Sequence, residues 1–450
     1  MKDFTLAEIA KACNGEYVGD ESPKTTKQSS VDRASRQVKD GSLFLAIKGE
    51  RVDGHDFIEK CFAQGAVCAL CEKAPENAKK PCIVVPSTLD AVKKIGRAYR
   101  DKFDNPVIGI SGSVGKSSTK EMLYAVLSQK FKTHKTQGNL NNELGVPLTL
   151  LSMPEDTEAA VIEMGISDFG EMTRLSEMVQ PTICVLTIIG ECHLENLGDR
   201  DGVLKAKTEM FKNARENADF ILNGDDDKLS TVKTVNGKKP VFFGLDAKND
   251  FYAKNIKNSG DGKVIATLCF DNNNIDVEIP AIGTYMVTNA LAAAAAGKLL
   301  GLTDEEIANG VASYKTVGSR ANVINTGKIK IIDDCYNANP TSVRASLDTL
   351  SNLDGRKVAI LGDMKELGSE ELKLHFDTGV YAKSKDIGTV ITVGELAKEL
   401  AKGADGKAFD TIEDAKTEIL KTIKSGDVVL VKASHSMHFE NIVEFLKQNF

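Results

Sequence analysis

Residues 109–122, GISGSVGKSSTKEM, begin at the end of the apolar run NPVIGI at 105–110. An apolar β-branched run that breaks into glycine and serine and then resumes with helix formers reads as strand, tight turn and helix. Gly112, Ser113, Val114, Gly115 and Lys116 spell GxxGK, followed by Ser117 and Ser118. Glycines let backbone N–H groups converge on phosphate oxygens, and a helix N-terminus adds partial positive charge. Lys116 would reach the outer phosphates, and the Ser117 hydroxyl would complete a Mg2+ shell. The general pattern GxxxxGK[ST] asks for glycine at 110, where this chain has Ile110, so the match is partial.

The rest of the chain repeats the alternation. After the loop come the apolar runs AAVIEMG, TICVLTIIG and DFILNG, with helical stretches between them. Strands alternating with helices predict a mainly parallel sheet covered on both faces. GKVIATLCFDNNNIDVEIP reads as a hairpin turning at DNNN, and NALAAAAAGKLLG as a short alanine-rich helix. IKIIDD, KVAILGD, TVITVG and DVVLVKAS predict a third alternating block. GSLFLAIKG and VDGHDFIEKCFAQGAVCALC place strand and helix in the first hundred residues. The expected architecture is three consecutive α/β domains, 1–104, 105–315 and 316–450, with the phosphate loop on a mainly parallel sheet in the second.

Bulk properties narrow the function classes. The chain has 450 residues, 27% of them charged, and a formal net charge of −7, which argues against a nonspecific nucleic-acid surface. MKDFTLAEIAKACNGEY is no signal peptide; Thr5 and Glu8 spell a helix capping box instead. No apolar run approaches the roughly 20 residues of a membrane span. The nine cysteines are scattered and show no metal-type set of spacings, so reduced thiols and a cytoplasmic protein are expected.

Other residues add chemistry. No NKxD guanine motif follows the loop, which argues against a switch GTPase. The run AAVIEMG ends in Glu163, a carboxylate well placed to hold Mg2+ beside a phosphate loop. Three further stretches combine dense polar residues with apolar runs: GNLNNELGVPLTLL at 138–151, TIIGECHLENLGDRDGVLKAKTEMF at 187–211, and IIDDCYNANPTSVRASL at 331–347.

Together with the loop, these stretches resemble the Mur ligases, ATP-dependent amide-bond ligases of peptidoglycan precursor synthesis. The resemblance covers essentially the whole chain, including SLFLAIKGERVDGHDF, LGDMKELG at 361–368 and VLVKASHSM at 429–437. DDCYNANPTS is its most specific part; it matches the member that adds D-alanyl-D-alanine to UDP-N-acetylmuramoyl-tripeptide. Sister ligases that add diaminopimelate or lysine show a DNPR-like stretch there instead.

The resemblance implies a mechanism and a site. A substrate carboxylate takes the γ-phosphate of ATP, and the dipeptide amine then displaces phosphate from the acyl phosphate. Lys116 and two Mg2+ ions would gather the anions, with Ser117 and Glu163 on one ion and His193 and a CO2-carbamylated Lys207 on the other. Asn289 would lie near the adenine, where Tyr285 replaces a common histidine. Arg320 would reach the phosphates, and Asp334 the ribose or phosphate. Asn139 and Asn142 are candidate contacts to phosphate or sugar-peptide, and Asn337 and Asn339 to the dipeptide. Ser35 and Arg36, in DRASRQV, would meet the UDP end on the N-terminal domain, and the C-terminal domain would be Rossmann-like. A monomer is expected, with hinges near 105 and 316. The rival readings are a sister muropeptide ligase, a folylpolyglutamate synthetase, and a nucleotide-dependent regulator that forms no amide.

Overall fold

The computed structural model describes residues 4–21, 30–32, 38–49, 52–76, 78, 80–259 and 262–450. Three α/β units follow one another. The first holds a five-stranded sheet in the order Glu16–Val18, Cys82–Val84, Cys68–Cys71, Leu43–Leu45, Val31–Asp32. Only its Glu16–Val18 edge is antiparallel. Helix Leu6–Cys13 opens on the expected capping box: Thr5 Oγ1 accepts from the Glu8 N–H, and the Glu8 carboxylate accepts from the Thr5 N–H at 2.8 Å.

The second unit carries a six-stranded, wholly parallel sheet. Its order is Val241–Phe243, Asp219–Asn223, Ile183–Leu186, Val107–Ser111, Ala159–Glu163, Thr133–Lys135. The chain first leaves the central strand Val107–Ser111 toward the Thr133–Lys135 edge. After Ala159–Glu163 it crosses to the other side. The crevice at the carboxyl ends of these strands is therefore a topological switch point, where open α/β sheets bind ligands. Helix Tyr285–Leu299 is buried from Ala290 to Ala296, so its all-round apolar surface reflects a place in the core.

The expected hairpin is part of a three-stranded antiparallel sheet, Tyr252–Asn258, Val264–Phe270 and Asn273–Ile279. Its turn is tighter than DNNN suggested. Phe270 pairs with Asn273, and only Asp271 and Asn272 turn, both with left-handed φ, 45° and 63°. That is the two-residue geometry matching strand twist.

The third unit has the order Asn322–Asn325, Lys330–Asp333, Val428–Lys432, Lys357–Gly362, Thr389–Val393, Lys407–Phe409, parallel except at the Asn322–Asn325 edge.

Helix Thr88–Arg100 joins the first unit to the second through more than a linker. Tyr99 Oη donates to the Met153 carbonyl at 2.8 Å, and Arg100 Nε to the Val179 carbonyl at 2.9 Å. One apolar cluster runs from Phe4 and Leu6 through Tyr99 to Met164 and Leu186. The polar stretch at 104–106 thus lies beside a continuous core. All nine cysteines are buried free thiols. No helix among the described residues is long and apolar enough to cross a membrane.

Candidate active site

The phosphate loop joins strand Val107–Ser111 to helix Lys116–Leu127. Gly112 has φ +150°, and a Cβ there would sit 1.9 Å from Thr187 Oγ1. Only glycine fits that approach. Thr187 Oγ1 in turn donates to the Val114 carbonyl at 2.5 Å, and the Ser113 N–H to the Ile188 carbonyl at 2.7 Å. The neighbouring strand end therefore braces the loop. Gly115 enters the helix at φ +86°, with no side-chain cap and no acid in the first turn. The first N–H groups stay available to an anion. Lys116 Nζ donates to the Gly112 carbonyl at 2.7 Å, curled over its own loop, and burial pushes its ammonium below the usual lysine range.

Glu163 ends the strand beside the loop and is 1% exposed. Ser117 Oγ lies 3.1 and 2.9 Å from its two oxygens, and Asn141 Nδ2 donates to Oε1 at 2.9 Å. Behind it, buried Lys120 stands 3.5 Å from Glu163 Oε2 and 3.2 Å from Glu121 Oε1, and Lys135 pairs with Glu121. Two cations thus balance two carboxylates inside the fold. Removing one member leaves an uncompensated buried charge. Lys120→Met is therefore expected to lower unfolding free energy by about 3–5 kcal/mol, read from denaturant melts.

The hydroxyl of Ser117 and the carboxylate of Glu163 are hard oxygen donors, suited to Mg2+. Among the described residues no three His, Cys, Asp or Glu side chains gather as a metal cage. A cation here would complete its shell from phosphate oxygens and water, as Mg2+ sites on nucleotides do.

A cavity of about 450 Å3 opens over the loop. The central unit lines it with residues 113–118, Asn141, Asn142, Glu163, His193, Tyr285 and Asn289, and the C-terminal unit with Arg320, Asp334, Asn337, Asn339, Thr341 and Lys432. The Arg320 guanidinium stacks on the Tyr336 ring at 3.8 Å. Asp334 is a hub: its carboxylate accepts from Lys432 Nζ at 2.7 Å, Ser346 Oγ at 2.6 Å and the Ala321 N–H at 3.1 Å. Lys432 Nζ also donates to the Asn337 carbonyl at 3.0 Å, fixing the start of NANPTS. Asn339 is the N-cap of helix Pro340–Ser351: its Oδ1 accepts from the Ser342 N–H at 2.8 Å, with Pro340 in the first turn.

The two walls meet. Thr341 Oγ1 donates to Glu191 Oε2 at 2.6 Å across the units. A Cβ on Gly190 would lie 2.4 Å from that Thr341 hydroxyl, so glycine permits the approach.

Most residues named from sequence converge here, with informative exceptions. Asn289 is buried in the cavity's base, and its Oδ1 accepts from Thr119 Oγ1 at 2.9 Å. Tyr285 lines the same end, and burial pushes its phenol pKa up. Asn142 lines the cavity, and its Oδ1 accepts from the Gly145 N–H at 2.8 Å, at the first residue of helix Gly145–Leu151. Asn139 is exposed and outside the lining; Asn141, between them, is the one that touches Glu163. Ser35 and Arg36 lie outside the described residues.

Lys207, on helix Arg200–Thr208, is 1% exposed and is not in the cavity lining, with no hydrogen bond or ion pair among the described residues. Burial lowers its pKa to about 8; Cys192 opposes the shift and Lys116 adds to it. Sequence reading passed over Lys120, Asn141, Thr341 and Lys432. Asn141 adjoins a residue already named, and Lys432 falls in VLVKASHSM, where a lone lysine at a strand end signals nothing by itself.

Comparison with known proteins agrees with this geometry. Residues 29–100 match the Mur ligase family catalytic domain, 110–297 the Mur ligase middle domain, and 319–435 the Mur ligase glutamate ligase domain. A Bacillus subtilis UDP-N-acetylmuramoyl-tripeptide–D-alanyl-D-alanine ligase is 36% identical, with 98% of each chain covered. The crystal structure of MurF from Acinetobacter baumannii superposes with a TM-score of 0.91 at 32% identity over 99% of each chain. MurF ligase from Thermotoga maritima, in complex with ADP, gives a TM-score of 0.83 at 30% identity, covering 93% of this chain and 97% of the other. With three consecutive domain matches and this likeness over its full length, the chain belongs to the Mur ligase family.

Proposed function

We propose that this protein joins D-alanyl-D-alanine to UDP-N-acetylmuramoyl-tripeptide at the expense of ATP, giving the pentapeptide precursor of peptidoglycan. The observation that carries the reading is the cavity itself. Its central wall is a phosphate loop that includes Lys116, and its C-terminal wall is the NANPTS turn, in contact through Thr341 and Glu191. An ATP site and an acceptor site facing each other suit phosphoryl transfer followed by amide formation. The sugar-nucleotide end would lie on the first unit, with boundaries near 105 and 316.

The backbone N–H groups at 113–118 would hold the phosphates, and Lys116 would leave the Gly112 carbonyl to meet the outer ones. Arg320, held flat by Tyr336, would face the same anions from the other wall. Negative charge concentrates where the substrate carboxylate meets the γ-phosphate, so these cations act where repulsion is greatest. Mg2+ would be held by Ser117 and Glu163, and a second ion by His193 and carbamylated Lys207, supplying charge neutralisation for the transfer. Lys207 suits carbamylation: it is buried and partly neutral near pH 8, so its amine lone pair is free to add CO2, losing a proton to yield an anion. Asn337 and Asn339 would read the dipeptide's amides and carboxylate. Closure of the two walls excludes water, which would otherwise hydrolyse the acyl phosphate.

An acceptor panel tests this. With ATP, Mg2+ and UDP-N-acetylmuramoyl-tripeptide, phosphate release is expected with D-alanyl-D-alanine and not with single amino acids. Release with a single amino acid would assign a sister activity, release with folate and glutamate the synthetase reading, and nucleotide binding without amide formation the regulator.

A further inference from the structure

The stretch LGDMKELG at 361–368 brings Glu366 to the domain contact. Glu366 has a left-handed backbone, φ +64°, and faces His193, also left-handed at φ +52°. The Leu194 N–H donates to the Glu366 carbonyl at 3.0 Å. Glu366 Oε2 lies 2.5 Å from His193 Nδ1, off the line of an ideal hydrogen bond, and Nδ1 is buried with no other partner. Left-handed backbone at two non-glycine residues that meet across a domain boundary is a reason to ask what the contact does.

The loop that carries Glu366 is clamped from several sides. The Met364 N–H donates to His375 Nε2 at 2.9 Å, and the His375 ring reaches the Glu371 carbonyl through Nδ1 at 2.7 Å. The Lys365 N–H donates to Ser434 Oγ at 2.9 Å, and Asp363 accepts from the Ala397 N–H at 2.8 Å. Glu366 is thus held rigidly by the C-terminal unit, while the ring it touches belongs to the central one.

We propose that Glu366 is a positioning residue that orients His193 across the domain contact, with Nδ1 carrying its proton toward the carboxylate and Nε2 left bare for the cavity. His193 then offers a lone pair to a cation when the two units are in contact, and domain closure becomes a condition for a competent site. The inference rests on the reading of His193 as a site residue. A carboxylate behind a ligating histidine fixes the tautomer and ring orientation, and losing one costs about 10- to 100-fold in affinity or activity.

The test uses Glu366→Gly and Glu366→Gln in the full chain. Glycine accepts the left-handed backbone without strain, so Glu366→Gly removes the carboxylate while keeping or raising the melting temperature. Expected is a fall in kcat of about 10- to 100-fold, with KM for ATP little changed. Glu366→Gln keeps an oxygen acceptor and restores most of that loss. Ring-nitrogen NMR on labelled histidine, with His193→Gln identifying the signals, should show the Nδ1–H tautomer in the native chain and its loss in Glu366→Gly. A Glu366→Gly enzyme with native kcat, or an unchanged His193 tautomer, overturns the proposal. If the native chain forms no amide at all, the functional reading falls instead, and the tautomer measurement still decides whether Glu366 acts on His193.

Discussion

Lys116→Ala lowers kcat/KM for amide formation by about a thousand-fold or more, with no loss in melting temperature. The size follows from where the charge sits. A preorganised donor aimed at developing charge contributes about 100- to 1,000-fold even when neutral, and a cation between two meeting anions contributes more. The stability expectation follows from the contacts: among the described residues Nζ makes one hydrogen bond, to the Gly112 carbonyl, and its burial already disfavours the charged form. Lys116→Arg does not restore the rate, because the planar guanidinium is larger than the ammonium the loop encloses. Steady-state kinetics and a thermal melt on the same preparations check both halves.

Lys207→Met separates chemistry from stability still more sharply. The thioether keeps the stem of the side chain and removes the amine. Without added CO2 the native lysine carries a charge into the core, where burial lowers its pKa to about 8, against 10.5 for a free lysine. The sign follows. Between pH 8 and 10.5 the unfolded chain holds a proton that the folded chain does not, so stability rises with pH through that window. Below pH 8 the full cost is present, about 3 kcal/mol from that shift. Lys207→Met therefore melts no lower than the native chain at pH 7, and its own stability lacks the rise between pH 8 and 10.5. Its ligase activity falls by about 100-fold, the upper end for a disrupted metal environment. Lys207→Ala loses activity likewise but leaves room, so added formate or acetate restores part of its rate, while the emptied space lowers its melting temperature. Melting scans against pH in CO2-free buffer, and activity with and without the short acids, read these effects.

Much of this was legible in the sequence. Local rules act on neighbours, so the Thr5–Glu8 capping box, the strand-to-helix phosphate loop and the parallel alternation formed as expected. The hairpin turn shrank from four residues to Asp271 and Asn272, because a two-residue left-handed turn matches strand twist and leaves Asn273 and Asn274 to pair with Phe270 and Cys269. Spacing could not say which asparagine of GNLNNELG reaches Glu163. Asn141 does so because the turn before helix Gly145–Leu151 ties the Asn142 side chain to the Gly145 N–H and leaves Asn139 exposed. Nor could it show that Asn339 caps a helix, or that Asp334 is tied to Lys432, almost a hundred residues on. Long-range charge pairs leave no local pattern. The Glu163–Lys120–Glu121 network and the meeting of Glu366 with His193 were invisible for that reason.

The acyl-phosphate route is tested most directly by heavy-oxygen label in the tripeptide's terminal carboxylate. After reaction with ATP, Mg2+ and D-alanyl-D-alanine, the account predicts a product one dipeptide heavier, less one water, with one labelled oxygen transferred to the released phosphate. Unlabelled phosphate, or hydrolysis of ATP with no gain in peptide mass, would contradict it.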